Sequence, residues 1–375
     1  MTGIPLQTAP VVGLDGTVLV VVGLVLVSLL LSVVVLTLGL SVREARQRRR
    51  RNAVRESLHD ELLTRLYDAG DPEWEAWVGT LGATERDVLE TLLDDHLRRL
   101  KGADVESLRA LGDALGIEER ARADRNASDE FVRLRALTWL TLLRAPSDDA
   151  DAERPRTRRE RAAVARWLYE TDADPDRGID ALLGGADESL SAFGVDTLYR
   201  ITERRPEAVV AAARDRRDWP VDLITQVVLV CRYAGSGVAG TDLSWIVSLL
   251  EHEAVRVRVE AALTLATFGW RDPIADRALL ERLTADESPR ARAAVYTMLG
   301  AWGDPESTGV LREALAEESN DRARLAGARA LVDAGVPEVE TPEPARPARR
   351  WTAEHRRFDE RATRPLADGG HRRGV

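Results

Sequence analysis

Three stretches of this chain are versions of one another. HEAVRVRVEAALTLATFG (252–269), DESPRARAAVYTMLGAWG (286–303) and ESNDRARLAGARALVDAG (318–335) align on their last residues, Gly269, Gly303 and Gly335, at offsets of 34 and 32 residues. In that alignment Arg258, Arg292 and Arg324 coincide, preceded by Val257, Ala291 and Ala323, and Leu265, Leu299 and Leu331 fall four places before the glycine. A fixed period of this size marks a repeat architecture. One such unit is too small to bury its apolar face alone, so neighbours must stack. The period therefore confines this part of the chain to an array.

The unit reads as a helical hairpin. Leu, Ala and Arg recur at i, i+3, i+4 spacing, and period-2 alternation is rare. The closing glycine suits a left-handed helix end. Asp272-Pro273 and Asp304-Pro305 then open partner helices over about 273–285 and 304–316, Asp capping free amides and Pro starting the turn. The alanines at 261, 262, 293, 294, 326 and 328 let helices approach closely. Weaker copies lie upstream. DEFVRLRALTWLTLL (129–143) keeps Val132-Arg133, whereas SLSAFGVDTLYRI (189–201) and DLITQVVLVCRYAG (222–235) keep the size pattern without the arginine. Ala69-Gly70-Asp71-Pro72 repeats the turn grammar, and the charged stretch 145–160 is predicted to be a long inter-helix loop. The body is predicted to be all-α.

The helix pattern VRxxAAxxL, with a closing Gly and a following Asp-Pro, resembles HEAT repeats, in particular their phycobilisome-lyase-type subgroup. The resemblance is good over about 241–335, fair over 120–240 and poor over 52–118. It implies a right-handed α-solenoid of five to seven hairpins over 52–336, with the Val-Arg helices lining the concave side. It implies protein binding as a class and names no partner. Because the subgroup includes chromophore-attaching lyase subunits, an enzyme accessory acting on a small molecule is the alternative.

The ladder Arg133, Arg258, Arg292 and Arg324 has two readings. It is a set of ion pairs, to acids such as Asp286 or Glu287, holding repeats in register, or it is a basic stripe gripping an acidic partner. The first is favoured, because the arginines come with a core pattern.

A second feature fixes location. Thr17 to Val42 contains no charged residue, His, Asn or Gln, and six arginines follow at once: Arg43, Arg46, Arg48, Arg49, Arg50 and Arg51. As helix the run spans roughly 39 Å, more than the ~30 Å hydrocarbon core of a bilayer. Residues 17–42 are predicted to be a retained transmembrane helix and 1–16 a short extracytoplasmic end. Basic residues beside a span stay cytoplasmic, so the Arg-rich 43–51 faces anionic head groups and the large C-terminal part lies in the cytoplasm.

Composition excludes several functions. The chain carries −10. Residues 1–51 carry +4 and 336–375 carry +2, which leaves −16 on 52–335. Specific nucleic-acid binding is not expected, since that affinity rests on cationic contacts to phosphate. Lys101 is the only lysine, and a surface so acidic resembles that of proteins from high-salt environments. Cys231 is the only cysteine and lies in the apolar run Val227–Cys231, as a core residue would. The five histidines, His59, His96, His252, His355 and His371, show no metal-ligand spacing, and neither GxxxxGK[ST] nor GxGxxG occurs. No catalytic residue, cofactor or metal is predicted. Trp74, Trp77, Trp139, Trp167, Trp219, Trp245, Trp270 and Trp302 are assigned to packing, the last two beside a repeat glycine. The Pro/Arg-rich 337–375 is predicted to be a disordered tail, with one short helix available at 351–366 bearing Trp351 and Phe358 on one side.

Overall fold

A computed structural model describes residues 16–67, 72–147, 155–171, 175–185, 187–214, 216, 218–269 and 276–362. Among the described residues every regular element is helical, as the 3.6-residue periodicity predicts. The chain divides into two units, one up to Ile117 and one from Glu118. The single array expected over 52–336 thus falls into two bodies.

In the first unit α1 (Gly16–Tyr67) runs unbroken from the apolar stretch through the arginines. At ~1.5 Å per residue its 52 residues extend roughly 78 Å. Its last turns pack on α3 (Ala83–Arg99), and Leu58 and Leu62 of α1 and Leu89 and Leu93 of α3 are buried. α2 (Trp74–Thr80) and α4 (Ala103–Ala114) complete this body. The described side chains from Leu24 to Leu38 are all exposed, with relative exposures of 44–66% for the large hydrophobic ones. Among the described residues no helix is long and apolar enough to cross a membrane. Part of the apolar run lies outside that statement, because the side chains of 16–23, 25, 27 and 39–42 are not among those described.

The second unit opens with α5 (Ile117–Asp124) and α6 (Glu130–Leu143). There follow α7 (Arg158–Glu170), α8 (Pro175–Leu183), α9 (Ala192–Arg204), α10 (Pro206–Ala213), α11 (Val221–Ala234) and the short α12 (Ser236–Ala239) and α13 (Ser244–Ser248). The C-terminal part holds α14 (Val255–Phe268), α15 (Arg277–Thr284), α16 (Pro289–Trp302), α17 (Pro305–Glu317), α18 (Asp321–Asp333) and α19 (Arg346–Ala362). One long row of neighbours runs α6, α7, α9, α11, α14, α16, α18, α19. A second row holds α8 beside α10 and α10 beside α12, and later α15 beside α17. One contiguous core extends from Ala162 to Ala345. Isolated hairpins could not produce it, but stacking does.

The repeat grammar is visible atom by atom. Leu265, Leu299 and Leu331 are fully buried. Gly269, Gly303 and Gly335 all have positive φ (77°, 66° and 71°), the conformation predicted for a helix-ending glycine. Asp304 caps α17 by accepting from the Glu306 and Ser307 amides, both at 3.0 Å, with Pro305 in the first turn. Asp272-Pro273 lies outside the described residues, as does Ala69-Gly70-Asp71. α15 starts at Arg277, capped by Asp276 onto the Ala278 amide at 3.0 Å. The predicted loop 145–160 ends earlier than expected, because Thr157 caps α7 and draws Arg158–Glu160 into the helix.

The tail prediction requires correction. Residues 337–362 fold: turns at Glu338–Glu340 and Glu343–Ala345 lead into α19, which packs on α18. Ala345 and Thr341 are buried. Composition counts arginines as solvating charges, but here they bond. Arg349 donates to the Val336 carbonyl and to Thr341 Oγ1 (3.1 Å). Arg346 donates to the Thr341 carbonyl (3.2 Å), and Arg350 pairs with Glu338 (2.9 Å). Residues 363–375, and the Phe358 side chain, lie outside the described residues.

Candidate interaction surface

The four ladder arginines occupy one geometry repeated along the long row. Each guanidinium is carried by the first turn or two of its helix and turns back over the carbonyls that precede it. Arg258 Nη1 donates to the His252 and Glu253 carbonyls (2.8 and 2.9 Å). Arg292 Nη1 donates to Asp286 and Glu287 (2.7 and 3.3 Å), and Arg133 Nη1 to Ala127 and Ser128 (2.8 and 2.7 Å). These carbonyls lie five and six residues earlier and have no partner inside the following helix. The other edge of the guanidinium meets an acid of the next repeat. Arg258 binds Asp286 through two bonds (2.6 and 2.9 Å), and Arg292 binds Glu318 through two (both 2.8 Å). Arg133 places Nε and Nη2 on one oxygen of the buried Glu160 (2.9 and 2.6 Å). Arg324, the last, keeps the backward bond to the Glu318 carbonyl and takes Asp321 at 3.0 Å in place of an acid further on.

These pairs reshape the carboxylates. Arg292 holds Glu318 down to about 2, against the opposing pull of burial, with the Asn320 amide and the Tyr296 hydroxyl also donating to it. The same burial, with Glu318 beside it, pushes the Tyr296 hydroxyl up. Burial favours the neutral acid at Asp286, yet the bonds from Arg258 and the Ser288 amide outweigh it and leave the carboxyl below its usual range. Where the arginine is missing, another tie appears. In α11 the Gln226 amide bonds both the Leu190 N–H (2.7 Å) and the Leu190 carbonyl (3.1 Å). The ladder guanidinium groups are thus occupied within the row.

A second column of arginines went unread in the sequence. Arg256, Arg290 and Arg322 also coincide in the glycine alignment, two places before the ladder. All three are exposed, on α14, α16 and α18. The column ends at a groove of about 1000 Å³ formed by α16, α18 and α19. Its lining includes Ala301, Ala326, Arg322, Leu325, Arg329, Trp351 and Arg356. Trp351 is half exposed and lies against the His355 ring, with centroids 3.8 Å apart. Asp333 is the one carboxylate of the lining and is approached by Arg329 (3.8 Å) and Arg356 (3.5 Å).

The remaining sequence candidates fall elsewhere. Among the juxtamembrane arginines, Arg43 is exposed, and the side chains of Arg46, Arg48, Arg49, Arg50 and Arg51 lie outside the described residues. Among the described residues seven tryptophans are buried, and three of these bond across the packing: Trp302 Nε1 to the Leu265 carbonyl of the previous repeat (3.1 Å), Trp167 Nε1 to the Ala145 carbonyl (2.7 Å) and Trp74 Nε1 to Ser107 Oγ (3.3 Å). Trp270 lies outside the described residues. Cys231 is fully buried, and burial pushes its thiol up to about 12. His59 and His96, far apart in sequence, stack between α1 and α3 at 5.3 Å. Burial, and then His59, lower His96. Among the described residues no group of three or more His, Cys, Asp or Glu is placed to hold a metal ion.

Residues 243–332 match the family of HEAT repeats. The match runs from α13 into the last turn of α18 and takes in Arg258, Arg292 and Arg324 with their acids. No curated protein matches the chain. The crystal structure of an engineered protein is similar at 17% identity, covering 78% of this chain and 85% of that one, with a TM-score of 0.33. Among the described residues the fold is all-α and of helical-repeat type, and the match to HEAT repeats over 243–332 suggests a scaffold for protein interaction.

Proposed function

We propose that the chain is a membrane-held, non-enzymatic scaffold that binds another protein along the long row of its second unit. The observation that carries the reading is the ladder. Its guanidinium groups are spent on register, which fixes the helices in place and leaves the flanking exposed positions of successive helices as one continuous surface. Rigid positioning of an extended surface is what a binding platform needs and what single-turnover chemistry does not require.

Membrane placement is the second part of the proposal. A water-facing helix does not ordinarily present so many exposed Leu and Val, and among the described side chains α1 exposes ten of them between Leu24 and Leu38. A bilayer would remove that surface from water, at about 25 cal/mol per Å². The arginines from Arg43 to Arg51 would then lie at the cytoplasmic head groups and leave both units in the cytoplasm. Holding the row at the bilayer raises its effective concentration towards membrane partners.

The test is affinity capture from native membranes in the salt of the source cells, with the full-length chain and a chain lacking residues 1–51. The same protein should follow both, with the shorter form recovered from the soluble fraction. A captured small molecule and no protein would reject the scaffold. A shortened chain that still sediments with alkaline-washed membranes would reject α1 as the anchor.

A further inference from the structure

We propose that the groove between α16, α18 and α19 receives an acidic segment of the partner protein, with an apolar side chain of that segment laid against Trp351. The inference rests on the scaffold reading and gives the partner's chemistry.

Charge carries the argument. The second unit, residues 118–375, bears a net −6, so a cationic site on it runs against the sign of its surroundings. Within the groove lining three guanidinium groups, Arg322, Arg329 and Arg356, face one carboxylate, Asp333. Asp333 is shared by Arg329 at 3.8 Å and Arg356 at 3.5 Å, and the 3.8 Å separation leaves Arg329 room for a further acceptor. The exposed column Arg256, Arg290, Arg322 leads along the row to the same place. Arg256 already holds Asp222 at 2.6 Å, and Arg322 stands at the groove.

The apolar part of the lining supplies an anchor. Trp351 is half exposed, whereas the seven body tryptophans that the structure describes are buried. Its ring is held by His355 at 3.8 Å, and Leu325 is also exposed across the groove from it. The lining also includes the small side chains Thr297, Ala301, Ala326 and Ala330, which leave room beside the ring for an inserted side chain. An aromatic anchor ringed by arginines is the composition of a binding hot spot. Because α19 forms one wall, the site exists only when the C-terminal segment folds onto α18.

The experiment pans a random-peptide phage library against the immobilised full-length chain in detergent micelles. The expected pool is rich in Asp and Glu with at least one Leu or aromatic residue. Its retention should fall at least about tenfold, a loss of about 1.4 kcal/mol, on the R322Q/R329Q chain and separately on W351A. Retention on R214Q, an exposed arginine at the end of α10 in the second row, should be unchanged. Circular dichroism melts confirm that the variants fold. A neutral or basic pool overturns the proposal, as does an acidic pool retained equally by R322Q/R329Q. Three further results also overturn it: no enriched pool, a chain dimer abolished by R322Q/R329Q, which would give the groove to a second copy, and phosphatidylglycerol vesicles bound through the same residues, which would give it to lipid. None of these touches the scaffold reading, which partner capture by the full-length chain tests independently.

Discussion

Arg292 of α16 holds both carboxylate oxygens of Glu318 at 2.8 Å, and Glu318 in turn accepts from the Tyr296 hydroxyl and the Asn320 amide, each also at 2.8 Å. Four bonds converge on one buried acid between two repeats. Removing one member of such a cluster strands the others without partners. Glu318→Gln should cost about 2–4 kcal/mol, read as a lowered denaturation midpoint.

The same acid sets a pH dependence. Its folded value is about 2, against 4.5 ordinarily. A depressed carboxyl stabilises the fold fully above its unfolded value, and that contribution is lost as pH falls through the folded one. The contribution is up to about 3 kcal/mol. It should be complete above pH of about 4.5 and decline towards pH of about 2. Urea melts at stepped pH should show wild type losing stability faster than Glu318→Gln across that window, so that the two converge at its acid end.

Gly300 allows α16 and α18 to touch. A Cβ built there would sit 2.4 Å from Ala330 Cβ and 2.7 Å from the Ala330 carbonyl oxygen. Gly300→Ala must therefore push the helices apart, against a gain in helix propensity of up to ~1 kcal/mol, for a net loss of about 1–2 kcal/mol. Gly309 in α17 has nothing within 4 Å of its position. Gly309→Ala should stabilise by about 0.5–1 kcal/mol. Opposite signs from the same chemical change, read by thermal melts, check the packing of the two rows.

Trp302 ties its repeat to the previous one through the bond from its indole N–H to the Leu265 carbonyl at 3.1 Å. Trp302→Phe keeps most of the ring and removes that bond. A loss of about 1–2 kcal/mol is expected, with hydrogen exchange accelerated in both α14 and α16.

Arg349 fastens α19 through the Val336 carbonyl and Thr341 Oγ1. Arg349→Ala should release α19 while leaving α14–α18 folded. Limited proteolysis should then cut between 337 and 346 at least about tenfold faster, a change of about 1.4 kcal/mol in the local opening equilibrium.

The repeats were legible because each signal has a local cause. A glycine that must take positive φ, a Leu that must be buried and an Arg that must satisfy exposed carbonyls recur at one spacing, and Gly269, Leu265 and Arg258 occupy the places that spacing gives them. The acid partners were only half legible. Asp286 was named, but Glu318 and Glu160 lie at separations that depend on loop length. α19 was part legible: a short helix was available at 351–366, but its start at Arg346 and its docking were not, because arginine and proline content describes a chain without partners, and Val336, Thr341 and Glu338 are specific partners. The groove could not be read at all before α19 was placed, although the alignment already held Arg256, Arg290 and Arg322 in register. The His59–His96 stack was beyond spacing arguments, since it joins two helices through tertiary packing.

In the proposed function the long row is the protein-binding face. That assignment is tested most directly by placing a photo-cross-linking amino acid in the full-length chain at Arg290, on α16 of that row, and at Glu306, on α17 of the second row, and irradiating native membranes. One discrete protein adduct is expected from position 290 and none from 306. Equal adducts from both positions, or an adduct from 306 alone, would contradict it.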